Sequence, residues 1–149
     1  YTNINDQSDL ALRYNDLKKR LGEEVLIAEM ILNGSEWSLG VINDSDFGPA
    51  IMISAGGVLI DLLDDKIILM APFSEDEIKT KLLSLKAFKL LTGYRGSYKL
   101  SYEQLCKTAV SFSKLAWDLR EVISEVDINP LIITKSEAIA VDSLVLSHS

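Results

Sequence analysis

The sequence is short of the residues that usually announce a chemistry. A single cysteine, Cys106, excludes both a disulfide framework and a cysteine-rich zinc site. The only histidine, His148, falls in a polar C-terminal stretch and is a poor catalytic candidate, although imidazole titrates near neutrality. No apolar run approaches the length of a membrane span, and no signal peptide opens the chain. Positive charge is also scarce: 15 Lys and Arg stand against 22 Asp and Glu, for a formal net charge of −7. Nothing basic is clustered enough to track phosphates, which argues against nonspecific nucleic-acid binding and leaves room for a small phosphate ligand. The expected compartment is the cytosol, with no nucleic-acid or membrane partner. Tyr1 stands where an initiator methionine would, and the chain reads as a piece of a longer one.

What is present fits an ordinary globular protein: 149 residues, 48% hydrophobic and 25% charged. That length supports one modest domain with a core of its own. SDLALRYNDLKKRLG reads as a helix, with Leu10, Tyr14, Leu17 and Leu21 on one face and Gly22 as its stop. EVLIAEMIL reads as a strand, NGSE as a turn, WSLGVIND as the returning strand and GPAIMISA as a third. VLIDLL and KIILMA read as two further extended segments, though short apolar runs do not separate strand from helix. Ser74 with Glu77, and Ser101 with Gln104, each match a capping box at a helix start. Ile78, Leu82 and Leu85 give the first of these helices its apolar stripe, and Leu105, Ala109, Phe112, Ala116 and Leu119 the second. Between them LLTGYRGSY reads as a loop. The fold class is therefore α+β, a largely antiparallel sheet with packed helices.

The stretch ISEVDINPLIITKSEAIAVD sets polar groups at alternate positions of an apolar run. Strand alternation puts Glu125, Asp127 and Asn129 on one face. If Thr134 pairs with Glu137 across a Lys135-Ser136 turn, Asn129 lies opposite Asp142 and Asp127 opposite Leu144. Opposed residues have Cβ atoms roughly 4.5–5.5 Å apart, and an amide oxygen with a carboxylate at that separation can share a hard cation such as magnesium. The same acids also suit a solvent-exposed sheet face, and spacing alone does not choose.

EVDINPLIIT followed by AIAVD resembles the end of the ATP-grasp domain in NDP-forming acyl-CoA synthetases, where an acidic-x-Asn-Pro-Leu strand and a later Val-Asp carry magnesium. Succinyl-CoA synthetase β chains have a similar hairpin. AEMILNGSEWSLGVINDSDFGP, SAGGVLIDLL, LMAPFSEDE and LLTGYRG fall in the same order, so the resemblance covers nearly the whole chain. It implies an ATP-grasp fold, with 1–32 the remainder of the first, nucleotide-binding lobe and 33–149 the second lobe. It further implies magnesium at Asn129 and Asp142, adenine contacts from the backbone of Glu29, Met30 and Ile31, and Glu36 facing the nucleotide. Gly56 and Gly57 would let backbone approach phosphate, and Arg95 would meet phosphate or a partner domain in a catalytic role.

Each of these has an ordinary structural alternative. Glu29 and Glu36 also suit strand and turn acids, Gly56-Gly57 a bend between strands, and Arg95 a solvated loop. Cys106 reads as inert, and Trp37 and Trp117 as packing residues. The implied activity is that of an acid–thiol ligase coupling a thioester to ATP or ADP with Mg2+. Its partners would be the nucleotide and a CoA-binding domain or subunit of the same enzyme, in a homo- or hetero-oligomer. The lysine segment and the phosphate-carrying histidine of such enzymes are expected outside this chain, so the chain by itself is expected to be inactive. Leu69 and Leu144 occupy positions where the family commonly has arginine, and Asp61 one where it has glutamate. A degenerate, noncatalytic lobe serving subunit contacts or nucleotide sensing is the alternative.

Overall fold

In the computed structural model, residues 1–56, 65–96 and 98–148 are described. By contact density the chain divides into two compact units, Tyr1–Leu32 and Asn33–Ser149. The first is built on one helix, α1 (Gln7–Leu21). Asp6 starts it by accepting the Asp9 amide at 2.8 Å, and Gly22 stops it at φ +113°, a left-handed conformation that side chains resist. Arg13 with Asp9 and Arg20 with Asp16 pair one turn apart on its surface.

Residues 24–32 correct the sequence reading: they form no strand. Their apolar content is right for one, but a strand needs a neighbour for its amides and carbonyls, and none of the described residues pairs with them. Their side chains are correspondingly open, with Leu26 93% exposed.

The second unit is an antiparallel sheet with helices on one face. Its strands are β1 (Ser35–Asp44), β2 (Gly48–Ala55), β3 (Lys66–Met70), β4 (Ile123–Ile133), β5 (Ala138–Ala140) and β6 (Ser143–Ser147). They run in the order β3-β2-β1-β4-β5, with β6 also paired to β4. The segment VLIDLL lies outside the described residues. One face carries Trp37, Leu39, Val41, Ile51, Ile53, Val126, Leu131 and Ile133, all buried against the helices.

Helix α2 (Glu75–Leu82) has the full capping box: the Ser74 hydroxyl takes the Glu77 amide, and the Glu77 carboxylate takes the Ser74 amide. Its stripe is buried as expected at Ile78, Leu82 and Leu85. The expected loop before the last helix contains a four-residue helix, α3 (Phe88–Leu91), and a 3-10 turn at Tyr94–Gly96.

Helix α4 (Tyr102–Asp118) has only half of its expected box. Ser101 caps the Gln104 amide, but the Ser101 amide is donated to the Thr134 carbonyl at 2.9 Å, so a tertiary acceptor replaces the Gln104 side chain. Leu119, expected in the stripe, ends the helix and is 39% exposed. The expected polar tail is partly strand β6, and His148 beyond it donates its amide to the Val122 carbonyl. Cys106 is buried, which pushes its thiol up to about 11 and keeps it unreactive at neutral pH.

Candidate magnesium–nucleotide face

The hairpin has the register read from the sequence. Thr134 and Glu137 close the turn at 2.9 Å, Leu131, Ile132 and Ile133 pair with Ala140, Ile139 and Ala138, and Asp127 pairs with Leu144. Within that register the Asn129 amide donates to the Asp142 carbonyl at 3.3 Å, so the two residues stand across from each other.

Against β1 the same strand behaves differently. Its register shifts between Trp37 and Leu39, where Asn129 and Pro130 together face Ser38. This is a β-bulge, which re-aims side chains locally. Val126 before it and Leu131 after it can then both point into the core, although they stand five positions apart, an odd spacing that would put them on opposite faces of a regular strand.

Opposite the helices lies the face that carries the polar groups. Glu36, Ser38 and Gly40 alternate along β1, and Gly40 pairs with Asp127. The Ser38 hydroxyl reaches the Asp127 carboxylate at 3.5 Å, the long limit of a hydrogen bond. Beside Ser38, across the β1–β2 ladder, Ser54 is buried with no partner for its hydroxyl among the described residues. Asp142 is exposed, and its Oδ1 accepts the Ser143 amide at 2.8 Å. The Asn129 side chain is exposed and bonded to none of the described residues.

Two hard oxygen donors, both open to solvent, suit a cation that keeps most of its shell as water and ligand oxygens. They do not make a closed cage. Among the described residues no group of three or more His, Cys, Asp or Glu side chains is arranged to hold a metal.

The other expected positions are dispersed. Glu29 and Met30 are exposed and Ile31 half-buried, in the unpaired segment of the first unit. Glu36 lies in β1 rather than in a turn, exposed opposite Ile132. Gly56 is buried and donates its amide to the Glu36 carbonyl at 2.7 Å. A Cβ there would stand 2.8 Å from the Glu36 carbonyl carbon, so close strand packing accounts for this glycine. Gly57 and Asp61 lie outside the described residues. Arg95 is exposed at φ +52°, with its guanidinium 5.3 Å from the Tyr94 ring centroid, and has no ion-pair partner among the described residues.

Trp37 is fully buried as a packing residue, while Trp117 is half-open and stacked under Arg120 at 4.5 Å. Ser38 and Gly40 were not singled out from the sequence. Their alternation with Glu36 on an otherwise apolar strand was the available signal.

The family model described as the ATP-grasp domain matches residues 2–146. The chain belongs to the ATP-grasp family. Among relatives, this ATP-grasp chain is 36% identical over 119 residues to the acetate–CoA ligase (ADP-forming) I subunit beta of Pyrococcus furiosus, covering 80% of the chain and 51% of the relative. Its identity to the corresponding II subunit beta is 35% over 124 residues, covering 82% and 52%. The chain thus spans about half the length of these relatives.

Among solved structures it is similar to acetyl-coenzyme A synthetase 1 of Ca. Korarchaeum cryptofilum in complex with coenzyme A and Mg-AMPPCP. The TM-score is 0.88 at 27% identity, covering 99% of this chain and 67% of that one. Leu69 and Leu144 are placed differently in this ATP-grasp sheet. Leu69 pairs with Ile51 and packs on the core, whereas Leu144 is exposed beside Asp127.

Among the described residues no helix is long and apolar enough to cross a membrane.

Proposed function

We propose that this chain is the ATP-grasp portion of an ADP-forming acyl-CoA synthetase and that the β4–β6 hairpin holds the magnesium of a bound ATP or ADP. The observation that carries the reading is the opposition of Asn129, in β4, and Asp142, in the link between β5 and β6, two solvent-open oxygen donors. When bound, magnesium neutralises charge on the nucleotide's phosphates. Asn129 and Asp142 would orient it, and Glu36 would face the nucleotide from the same sheet.

Residues 1–32 would be the remainder of the first lobe, with the backbone of Glu29, Met30 and Ile31 toward adenine, and 33–149 the second lobe. Arg95, without an ion-pair partner among the described residues and presented on its turn, would meet phosphate or the CoA-binding domain or subunit. The Gly56 amide is already engaged by the Glu36 carbonyl, so its part would be to hold the end of β2 against β1.

Calorimetry of Mg–ATP binding tests the hairpin directly. Asp142→Asn removes one charge at nearly constant size and should abolish the magnesium dependence of binding. In the complete enzyme the rate should fall on the order of 10²-fold, the scale of losing one electrostatic contact to a transition state. Glu137→Gln, in the exposed turn, should change neither. Equal magnesium dependence in wild type and Asp142→Asn would leave the hairpin acids as a solvated sheet face.

A second reading, a lobe kept for contacts rather than catalysis, is favoured by Leu144, which puts a methyl-ended side chain where Asp127 would accept a cation. Leu144→Arg should tighten Mg–nucleotide binding if the site is active but weakened, and leave it unchanged if nucleotide binding has been lost.

A further inference from the structure

Strand β6 (Ser143–Ser147) pairs with β4 and with no other described strand, so it leaves one margin of the sheet open. All five of its residues are exposed, Leu144 at 53%, Val145 at 57% and Leu146 at 43%. An open edge strand is a template for pairing with another chain, and proteins commonly blunt such edges with charge or proline. The sequence SLVLS has neither.

The ladder determines which backbone groups the edge offers. The Asp142 carbonyl accepts the Asn129 amide, the Leu146 carbonyl accepts the Ser124 hydroxyl, and the His148 amide goes to the Val122 carbonyl. Asp142, Leu146 and His148 thus bond inward, toward β4. Antiparallel alternation then turns the backbone of Ser143, Val145 and Ser147 outward. Of these, the Ser143 amide is already taken by the Asp142 carboxylate at 2.8 Å. The Ser143 carbonyl, the Val145 amide and carbonyl and the Ser147 amide have no partner among the described residues.

The order of residues states what fits this edge. SLVLS reads the same in both directions, so an antiparallel second copy with Val145 against Val145 sets serine opposite serine and leucine opposite leucine. On that axis the two Val145 residues exchange amide and carbonyl, and each Ser147 amide meets the Ser143 carbonyl of the other copy. All four orphan groups are then satisfied. Val145 pairs with the buried Val126, so its side chain stands on the helix side of the sheet, where the two valines would meet. Directly opposed side chains of this kind stabilise a ladder.

We propose that β6 pairs with the β6 of a second copy of this chain, about a two-fold axis through Val145, making one sheet continuous across a dimer. A closed two-fold contact uses up the edge, so association stops at two. Five residues a side is a small interface, and the dimer should accordingly be weak and concentration-dependent. The proposal does not depend on nucleotide binding, and its test contains neither nucleotide nor magnesium.

Sedimentation velocity of the whole chain over a concentration series should show a reversible monomer–dimer equilibrium. Val145→Lys and Val145→Glu each set like charges face to face, because position 145 meets only itself at the axis. Each should weaken self-association by about tenfold or more while melting like wild type, as exposed changes usually do. An equimolar mixture of the two variants should recover the dimer, since opposite charges then face each other. Should either variant fail to fold, Val145→Pro removes only an outward amide, keeps the bonds to β4, and should leave the chain monomeric.

A dimer undiminished by these substitutions, or a mixture that associates no better than each variant alone, would overturn the proposal. So would assembly beyond two copies, or a wild-type chain that stays monomeric at its highest soluble concentration, which would leave the edge to a strand of another protein.

Discussion

Val25, Leu26 and Ile27 are as strand-prone as Trp37, Leu39 and Val41, yet Leu26 is 93% exposed while Leu39 is completely buried. Residues 24–32 have no sheet neighbour among the described residues, whereas β1 is flanked by β2 on one side and β4 on the other. Strand formation is a joint property of a segment and its neighbours. β-propensity measures fit to a pleated, half-buried surface, and a segment without that surface has nothing to fit.

The comparison makes its largest prediction by truncation. Leu39→Ala should cost about 2–5 kcal/mol, because it opens a cavity in a fully packed site. Leu26→Ala should stay within about 0.5 kcal/mol, as exposed changes usually do. Denaturant unfolding of both variants measures the gap. Comparable losses would mean that residues 24–32 are packed after all.

A smaller effect tests how closely β1 is held from beside the ladder. Gly56→Ala would bring a methyl within 2.9 Å of the Trp37 amide as well as against Glu36, and backbone cannot swing aside as a side chain can. The expected cost is about 1–3 kcal/mol, the range for overpacking. Gly40→Ala meets contacts of 3.6 Å or more on the same strand and should cost little. If the two variants unfold at the same denaturant concentration, the close approach at Gly56 is not holding β1.

How much of this was legible follows the same division. The hairpin register was readable because a tight turn at Lys135-Ser136 fixes every pair outward from it, down to Asp127 with Leu144. Strand β2 was readable to its ends because Gly48 and Ala55 bound an apolar run. The bulge at Asn129-Pro130 was not: the hairpin partner keeps its register through those residues, and only β1 reveals the extra one. For the candidate site, sequence pattern put Asn129 opposite Asp142 and Leu144 opposite Asp127. It missed Ser38 and Gly40, whose importance comes from a strand about ninety residues away in the chain, a separation that the Ser38–Asp127 contact spans and that local periodicity does not sense.

The smallest expected effect separates a cap made locally from one made by tertiary contact. At α2 the Glu77 carboxylate accepts from both the hydroxyl and the amide of Ser74, each at 2.7 Å. The Ser74 hydroxyl first, and its amide second, hold the Glu77 carboxyl below the ordinary glutamate range. A carboxyl depressed by folding stabilises the folded state above its unfolded pKa, and that contribution disappears as pH falls through the folded value. Acidification through and below the ordinary glutamate range should therefore weaken α2, and Glu77→Gln should flatten this part of the stability–pH curve. Gln104, the corresponding residue of α4, leaves the Ser101 amide to the Thr134 carbonyl. Gln104→Ala should accordingly leave the α4 cap intact, while Ser101→Ala removes the hydroxyl that caps the Gln104 amide and should cost about 1 kcal/mol. Thermal melts of the three variants across acidic pH make the measurement. A pH-dependent loss in Gln104→Ala equal to that in Glu77→Gln would show that the two caps work alike, and that the Thr134 contact has not taken over the second half of the box.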